Sequence, residues 1–213
     1  MRKLIIDADT GSDDAVALVM AIRNLPKESI LGITVAAGNV PLKQGISNAL
    51  YVNELCDTNI NVYAGESAPM YRPYIELDNM EQATAHALSE DPASSSAQYV
   101  HGNDGLGDIG LEPKNKAYSD VTAMEFYREM LENNTDIEIV ALGPLSNIAR
   151  LVKEEPKLLG SIKHCYIMGG CSNGVGNITK TAEYNFWVDP EAADIVLKSE
   201  IPITVIGWDP SYL

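Results

Sequence analysis

The chain has 213 residues, of which 46% are apolar, and it carries 30 Asp and Glu residues against 15 Lys and Arg, giving a formal net charge of -15. With so few basic side chains it lacks the extended basic face that phosphate binding needs, so we expect neither nucleic acid nor an anionic membrane surface as a partner. The apolar fraction is too high for a disordered acidic chain, and we expect one globular domain over residues 1–213.

Short apolar runs alternate with segments of helical periodicity along most of the chain. The runs predict buried strands, and apolar residues at every third or fourth position predict helices. In chain order the predicted elements are a strand over 3–7, a helix over 13–24, a strand over 30–36, a helix over 42–55, a helix over 120–133, a strand over 137–141, a helix over 145–153, a strand over 163–168, a helix over 191–198 and a strand over 203–206.

This alternation predicts an α/β fold with a mostly parallel, open, Rossmann-like sheet and helices on both faces. Ligands of such sheets bind at the carboxyl ends of the strands. Residues 66–108 are rich in Pro, Ser and Gly, with 91–96 as the least structured piece. We interpret them as a lid or binding loop rather than a linker, because no compositional break follows.

The cysteines and the N-terminus indicate a cytoplasmic protein. Cys56, Cys165 and Cys171 are odd in number and form no Cys-x-x-Cys pair. We therefore predict buried free thiols rather than disulfides or a zinc site. The apolar run at residues 4–6 is too short for a signal peptide or a membrane span.

The first predicted strand runs into an acidic segment in which Asp7, Asp9, Asp13 and Asp14 fall within eight positions. Helix capping explains part of it, since Ser12 would cap the next helix and the last two acids would lie in its first turn. Asp7 and Asp9 remain at one strand end. Two carboxylates about 5 Å apart repel by roughly 3 kcal/mol at an effective dielectric near 20, so we expect a bound cation, raised pKa values or both. A hard divalent ion is the simplest explanation.

Two kinds of divalent-ion protein can be compared with this segment. An EF-hand loop is excluded because its twelfth position, counted from Asp7, is Leu18. A haloacid-dehalogenase-like phosphatase has the pattern Asp-x-Asp-x-Thr/Val, but here Gly11 is at the fifth position. Lys163 precedes a predicted strand, and residues 168–170 after that strand contain no acid. The phosphatase remains an alternative.

Further motifs follow the acidic segment at regular places behind the predicted strands. They are DADTGSDD at 7–14, TVAAGN at 34–39, HGNDGLG at 101–107, ALGPLSNIA at 141–149, MGG at 168–170, GN at 176–177, AEYN at 182–185 and DPEAA at 189–193. In order and content this set resembles the nucleoside hydrolases of the inosine-uridine-preferring type, with Thr10 where Pro is usual in that family.

The resemblance implies a nucleoside hydrolase fold and hydrolysis of the N-glycosidic bond of ribonucleosides to free base and ribose, in purine and pyrimidine salvage. It also implies a Ca²⁺ cofactor. In that family's pattern Asp9 is the base that deprotonates a calcium-bound water, Asp9 and Asp14 are metal ligands, and Asp7 is a further ligand or a support. Leu142 contributes its main-chain carbonyl to the ion, a role independent of the side chain.

The remaining site residues also come from the resemblance. It places His101 beside the nucleobase, in the catalytic set, and assigns substrate binding around the ribose to Asp13, Asn39, Met168, Asn177, Glu183 and Asn185. Amides and acids suit vicinal hydroxyls, which both donate and accept hydrogen bonds. A homodimer or homotetramer is the implied assembly.

This sequence departs from the family pattern at its C-terminal end. Family members continue beyond the equivalent of residues 206–209 into a region with a leaving-group histidine and an aspartate that completes the metal shell, whereas this chain ends at Leu213. The resemblance therefore implies that the C-terminal part of the family fold is missing from the 1–213 domain, and Asp209 does not match the missing ligand. A non-catalytic ribose- or nucleoside-binding protein consequently remains a second alternative.

Overall fold

The computed structural model of the chain describes residues 2–71, 74–75 and 94–212. Its main sheet has six parallel strands in the order β3-β2-β1-β6-β7-β8, and a separate parallel pair is formed by β4 and β5. The strands are β1 (Lys3–Ala8), β2 (Ile30–Val35), β3 (Val62–Ala64), β4 (Tyr74–Ile75), β5 (Ser94–Ser95), β6 (Ile137–Ala141), β7 (Ile162–Met168) and β8 (Ile203–Ile206).

The helices of the described residues cover both faces of the main sheet. They are α1 (Ser12–Asn24), α2 (Leu42–Leu55), α3 (Gln98–His101), α4 (Ala123–Asn133), α5 (Ser146–Glu154), α6 (Tyr184–Val188) and α7 (Pro190–Leu197). Successive residues of β1 point to opposite faces, so Leu4 and Ile6 pack with α1 and α2, while Ile5 packs with α4, α5 and α7. The predicted fold class is confirmed, with one apolar cluster on each face.

The order of the strands places a crevice beside β1. From β1 the chain first builds outward through β2 and β3, and then crosses to the other side to add β6, β7 and β8. In open α/β sheets the carboxyl ends of the strands at such a reversal form a ligand-binding crevice. The acidic segment that follows β1 therefore lies at the position where this topology provides a site.

Every predicted element is present, with ends that agree with the prediction or differ from it by at most three residues. Sequence periodicity missed β3, α3 and α6, because three to five residues are too few to show a period. The capping prediction for Ser12 is wrong: Gly11 is the N-cap, and Ser12 is the first residue of the helix. Of the loop prediction for residues 66–108, the segments 72–73 and 76–93 lie outside the described residues.

The structure also bears on the expectations about the thiols and about membrane spans. Cys56 and Cys165 are buried free thiols as predicted, whereas Cys171 is also free but only half-buried. In the part of the chain that the structure describes, every helix is too short or too polar to cross a bilayer.

A close approach across the sheet gives the first testable prediction. A Cβ added at Gly32 would lie 2.7 Å from both Phe126 and Tyr63, whose rings stack with centroids 3.9 Å apart. Gly32→Ala should therefore lower the free energy of unfolding by about 1–3 kcal/mol through overpacking, measured by urea denaturation. Gly160→Ala is the matched control, since nothing lies within 4 Å of its added Cβ. Equal effects of the two substitutions would contradict the packing argument.

Candidate active site

A cavity of about 370 Å³ opens at the carboxyl edge of the main sheet. Most of the residues that the sequence assigned to a site line it: Asp13, Asn39, His101, Leu142, Met168, Asn177, Glu183 and Asn185. The lining also includes Tyr99, Tyr184 and Trp208, for which sequence motifs predicted no role. Asp7, Asp9 and Asp14 are not part of the lining and are buried.

Asp9 and Asp14 form a buried pair of carboxyl groups behind the lining. Asp9 Oδ2 accepts a hydrogen bond from the main-chain N–H of Asn39 at 2.6 Å. Asp14 Oδ2 accepts from the N–H of Gly11 at 2.9 Å and from Asn39 Nδ2 at 3.0 Å. The single residue Asn39 therefore holds both acids, one through its backbone and one through its side chain.

Burial raises the pKa of both acids. It raises the pKa of Asp9 well above its ordinary value, and the neighbouring charge of Asp14 raises it further. Burial and then the charge of Asp13 raise the pKa of Asp14 to about 7. Asp9 Oδ1 is buried and has no hydrogen-bond partner among the described residues. A buried pair of carboxyl groups is stabilised by a shared proton or by a cation.

The carboxyl group of Asp9 fits between two loops that approach it closely. A Cβ added at Gly38 would overlap Oδ2, and one added at Gly143 would overlap Oδ1. These glycines follow β2 and β6, the two neighbours of β1 in the sheet. Only residues without a side chain let both loops close on Asp9, which leaves its carboxyl group little freedom to turn.

Asp7 occupies a different environment from Asp9 although both leave the same strand end. Its Oδ2 accepts hydrogen bonds from Thr34 Oγ1, from Tyr127 OH at 3.1 Å and from Asn147 Nδ2 at 2.8 Å. These donors belong to β2, α4 and α5, so one oxygen joins three elements to β1. Burial raises the pKa of Asp7 to about 6, while these hydrogen bonds oppose the rise. The motifs contained Thr34 and Asn147, but spacing indicated no partner for either.

Three asparagines of the cavity lining, Asn39, Asn177 and Asn185, have amide groups fixed by hydrogen bonds to neighbouring residues. Asn177 Oδ1 accepts from the N–H of Tyr184 at 2.8 Å, which leaves its NH₂ group available as a donor. Asn185 Nδ2 donates to the carbonyl oxygen of Leu142 at 2.7 Å, and Asn39 Nδ2 donates to Asp14. The amide oxygens of Asn39 and Asn185 have no hydrogen-bond partner among the described residues, and they remain acceptors.

Glu183 combines a structural contact with its place in the cavity. It is the N-cap of α6, and it accepts from the N–H groups of Gly170 at 2.7 Å and Asn185 at 2.9 Å. Burial raises its pKa, although these hydrogen bonds oppose the rise. The capping contacts orient Glu183 and place Asn185 beside it.

Among the described residues, no three His, Cys, Asp or Glu side chains converge on one point as a metal shell. Asp7 Oδ1 and Asp9 Oδ1 are both buried without a hydrogen-bond partner among the described residues. The predicted metal set therefore stays a prediction, with Asp7, Asp9 and Asp14 as its acids and the Leu142 carbonyl as its main-chain member. That carbonyl accepts from Asn185 and still has a second lone pair. All of these donors are oxygens, the ligand type that hard divalent cations prefer.

Comparisons with known proteins match this chain along nearly its whole length. The family model described as inosine-uridine preferring nucleoside hydrolase matches residues 4–212. The pyrimidine-specific ribonucleoside hydrolase RihB of Escherichia coli (strain SE11) is 35% identical over 209 residues, which are 98% of this chain and 60% of that protein.

Solved structures show the same relationship. A purine-preferring ribonucleoside hydrolase from Gardnerella vaginalis superposes with a TM-score of 0.82 at 31% identity, covering 98% of this chain and 61% of that one. The plant nucleoside hydrolase PpNRh1 gives a TM-score of 0.80 at 30% identity, covering 98% and 60%. The chain thus spans about three fifths of the length of these relatives. Matched over nearly all of its residues, it belongs to the inosine-uridine preferring nucleoside hydrolase family.

Proposed function

We propose that the protein hydrolyses the N-glycosidic bond of ribonucleosides and releases free base and ribose. The observation that carries the proposal is the buried Asp9–Asp14 pair behind a cavity lined by amide and carboxyl groups. As the bond to the base breaks, its electron pair leaves with the base and the ribose gains positive charge in the transition state. Oxygen atoms around the sugar stabilise that charge, and water attacks the anomeric carbon.

Asp9 is the proposed base for the attacking water. A general base is stronger when its pKa is raised from the ordinary value of a carboxyl group, and burial raises the pKa of Asp9. The close approach of Gly38 and Gly143 keeps the carboxyl group oriented, so the base needs little reorganisation when it accepts the proton.

The oxygen donors around Asp9 fit a hard cation, and we propose calcium. Asp9, with its unpartnered buried Oδ1, Asp14 and the main-chain carbonyl of Leu142 would hold it. Such an ion, when bound, lowers the pKa of a water and so supplies a nucleophile at neutral pH. Asp7 is proposed as a further ligand, through its unpartnered buried Oδ1, or as a support of this set, through the three donors at its Oδ2.

The ribose is the proposed ligand of the polar half of the cavity. Asn177 can donate to a hydroxyl oxygen, while the amide oxygens of Asn39 and Asn185 can accept from hydroxyl hydrogens. Asp13 and Glu183 add acceptors, and Met168 packs against the sugar. Vicinal hydroxyls need this mixture of donors and acceptors.

The nucleobase would lie beside the ring-bearing side chains of the lining, which are His101, Tyr99 and Trp208. Relatives with a pyrimidine-specific name and with a purine-preferring name match the chain about equally well. The comparisons therefore assign no base preference to this protein.

Family membership removes the support for the phosphatase alternative, whereas the non-catalytic ribose-binding alternative needs a direct test. Incubation with inosine or uridine and calcium should release free base and ribose. Saturable binding of either nucleoside without release would favour the binding protein. Cleavage of p-nitrophenyl phosphate that depends on Asp7 and magnesium would instead favour the phosphatase.

A cytoplasmic location also belongs to the proposal, because Cys56, Cys165 and Cys171 are all free thiols, as a reducing compartment keeps them. Assembly into a homodimer or homotetramer stays a prediction.

Replacing the proposed base should remove turnover. In Asp9→Asn the side chain keeps its size but loses both the charge that accepts a proton and a proposed metal ligand. We therefore expect inosine hydrolysis to fall beyond the roughly 10²- to 10⁴-fold attributed to general base catalysis alone. Asp194→Asn is a control that removes an exposed carboxyl group, paired with Lys198, and should leave the rate unchanged. Near-normal hydrolysis in Asp9→Asn with calcium present would refute the assignment.

Removing one hydroxyl from the sugar of the substrate should lower kcat/KM more than changing its base does. A site built to hydrogen-bond a hydroxyl is left with unpaired buried groups when the hydroxyl is absent. We expect kcat/KM for 2′-deoxyinosine to be at least about 100-fold below that for inosine. Equal cleavage of the two nucleosides would show that Asn39, Asn177 and Asn185 do not address the ribose hydroxyls.

Cation binding can be measured without catalysis. Because a cation would relieve the buried repulsion between Asp9 and Asp14, calcium should raise the melting temperature and a chelator should reverse the change. Asp14→Asn should abolish this response. Asp13→Asn removes an equal charge from the adjacent residue, whose side chain is 76% exposed, and should retain it. A calcium response that survives in Asp14→Asn would place the ion elsewhere.

A further inference from the structure

His101 is held against the first turn of α1 by its own loop. It is the last residue of α3, its N–H donates to the carbonyl oxygen of Ala97 at 3.1 Å, and its carbonyl oxygen accepts from the N–H of Gly107 at 2.7 Å. The side chain is only 12% exposed and lines the cavity. The imidazole therefore has a defined position, with one edge toward α1.

The ring nitrogen that faces α1 meets two groups of Ser12. Nδ1 lies 2.8 Å from Ser12 Oγ and 3.4 Å from the main-chain nitrogen of Ser12. A main-chain N–H can only donate, so the Nδ1 atom that it approaches must present a lone pair. This N–H is also one of the first four of a helix, which have no partner within the helix. His101 thus satisfies a donor that α1 leaves free.

The surroundings keep the ring neutral. The N-terminal end of a helix carries partial positive charge, which disfavours an imidazolium. Burial lowers the pKa of His101, and the charge of Asp13 opposes that shift. Asp13 Oδ1 is 3.9 Å from Nδ1, but its side chain is 76% exposed, so solvent weakens its influence.

A neutral imidazole with a lone pair on Nδ1 carries its proton on Nε2. We infer that Ser12 is a positioning residue for His101, and that its two donors fix the Nε2–H tautomer so that His101 presents an N–H donor to the nucleobase. The inference about the base rests on the proposed function. Nε2 lies across the ring from Nδ1, and it has no hydrogen-bond partner among the described residues, so it is available to a ligand in the cavity.

This assignment defines what His101 does when the glycosidic bond breaks. The electron pair of the bond moves into the base, the oxygen of water bonds to the anomeric carbon, and the proton of that water passes to Asp9. The Nε2–H group of His101 stabilises the charge on the departing base by a hydrogen bond. It keeps its proton, because a neutral imidazole that gave one up would become an anion. Ser12 contributes by preventing the opposite tautomer, which would present a lone pair to the base.

Nitrogen NMR of the histidine rings tests the tautomer directly. The chain has three histidines, and His164 is an internal reference because its Nε2 contacts Thr204 Oγ1 at 2.8 Å, away from the cavity. In a long-range ¹H–¹⁵N spectrum we expect His101 to carry its proton on Nε2. Ser12→Ala should move the nitrogen signals of His101 and leave those of His164 in place, and Thr204→Ala should do the reverse.

Two further variants test whether the side chain of residue 12 determines which ring nitrogen of His101 carries the proton. Ser12→Thr keeps the hydroxyl donor and should preserve the spectrum of His101. Ser12→Asp introduces a carboxylate that can only accept, which competes with the main-chain N–H of residue 12 for Nδ1 and should shift the nitrogen signals of His101 toward protonation of Nδ1. The inference is overturned if His101 is protonated on Nδ1 in the unmodified protein, or if its signals do not change in Ser12→Ala.

Kinetics with inosine separate this inference from the proposed function. Loss of one orienting hydrogen bond in Ser12→Ala should lower kcat about three- to tenfold while KM stays within about twofold, and Ser12→Thr should restore kcat. An unchanged kcat in Ser12→Ala would refute the positioning role. If the protein hydrolyses no ribonucleoside but the spectra change as expected, the proposed function fails, and the assignment of the tautomer to Ser12 stands.

Discussion

The burial of three carboxyl groups at the end of β1 is the constraint on which the rest of the site depends. Asp7, Asp9 and Asp14 are each at most 4% exposed, and none of the described ion pairs includes any of them. Buried charge without a partner is costly, so such groups take up protons, hydrogen-bond donors or a cation. The loops after β2 and β6 and the first turn of α1 surround these acids.

Asp7 and the Asp9–Asp14 pair have different hydrogen-bond partners. Asp7 is tied by three neutral donors from β2, α4 and α5, and it contributes to the attachment of β1 to its neighbours. Asp9 and Asp14 share Asn39 and keep an oxygen without a partner among the described residues. The hydrogen bonds at Asp7 Oδ2 stabilise the fold, while Asp7 Oδ1 and Asp9 Oδ1, both buried without a partner among the described residues, leave capacity for a ligand. Asp7 and Asp9 lie two residues apart at the end of β1, the strand at which the strand order reverses.

The first turn of α1 contributes both to the proposed acid pair and to the position of His101. Its first turn contains Asp14, which belongs to the acid pair, and Ser12, which contacts His101 from the loop after α3. The positive end of the helix favours the carboxylates and disfavours an imidazolium, so one helix end biases the charge state of both groups. A small shift of α1 would disturb the base and the histidine together, which couples the folding of this turn to the proposed activity.

The sequence by itself determined the alternation of strands and helices, the motifs behind the strands and the membership of the family, since periodicity and motif spacing are local properties. Tertiary structure alone decided the place of β3 at the sheet edge, the hydroxyl contact of Ser12 and the partners of Asp7. Asn147 lies 140 positions from Asp7 and His101 lies 89 positions from Ser12. Spacing within one segment carries no information about such pairs, because which donor reaches which acceptor is settled only when the sheet order and the helix packing bring distant segments together.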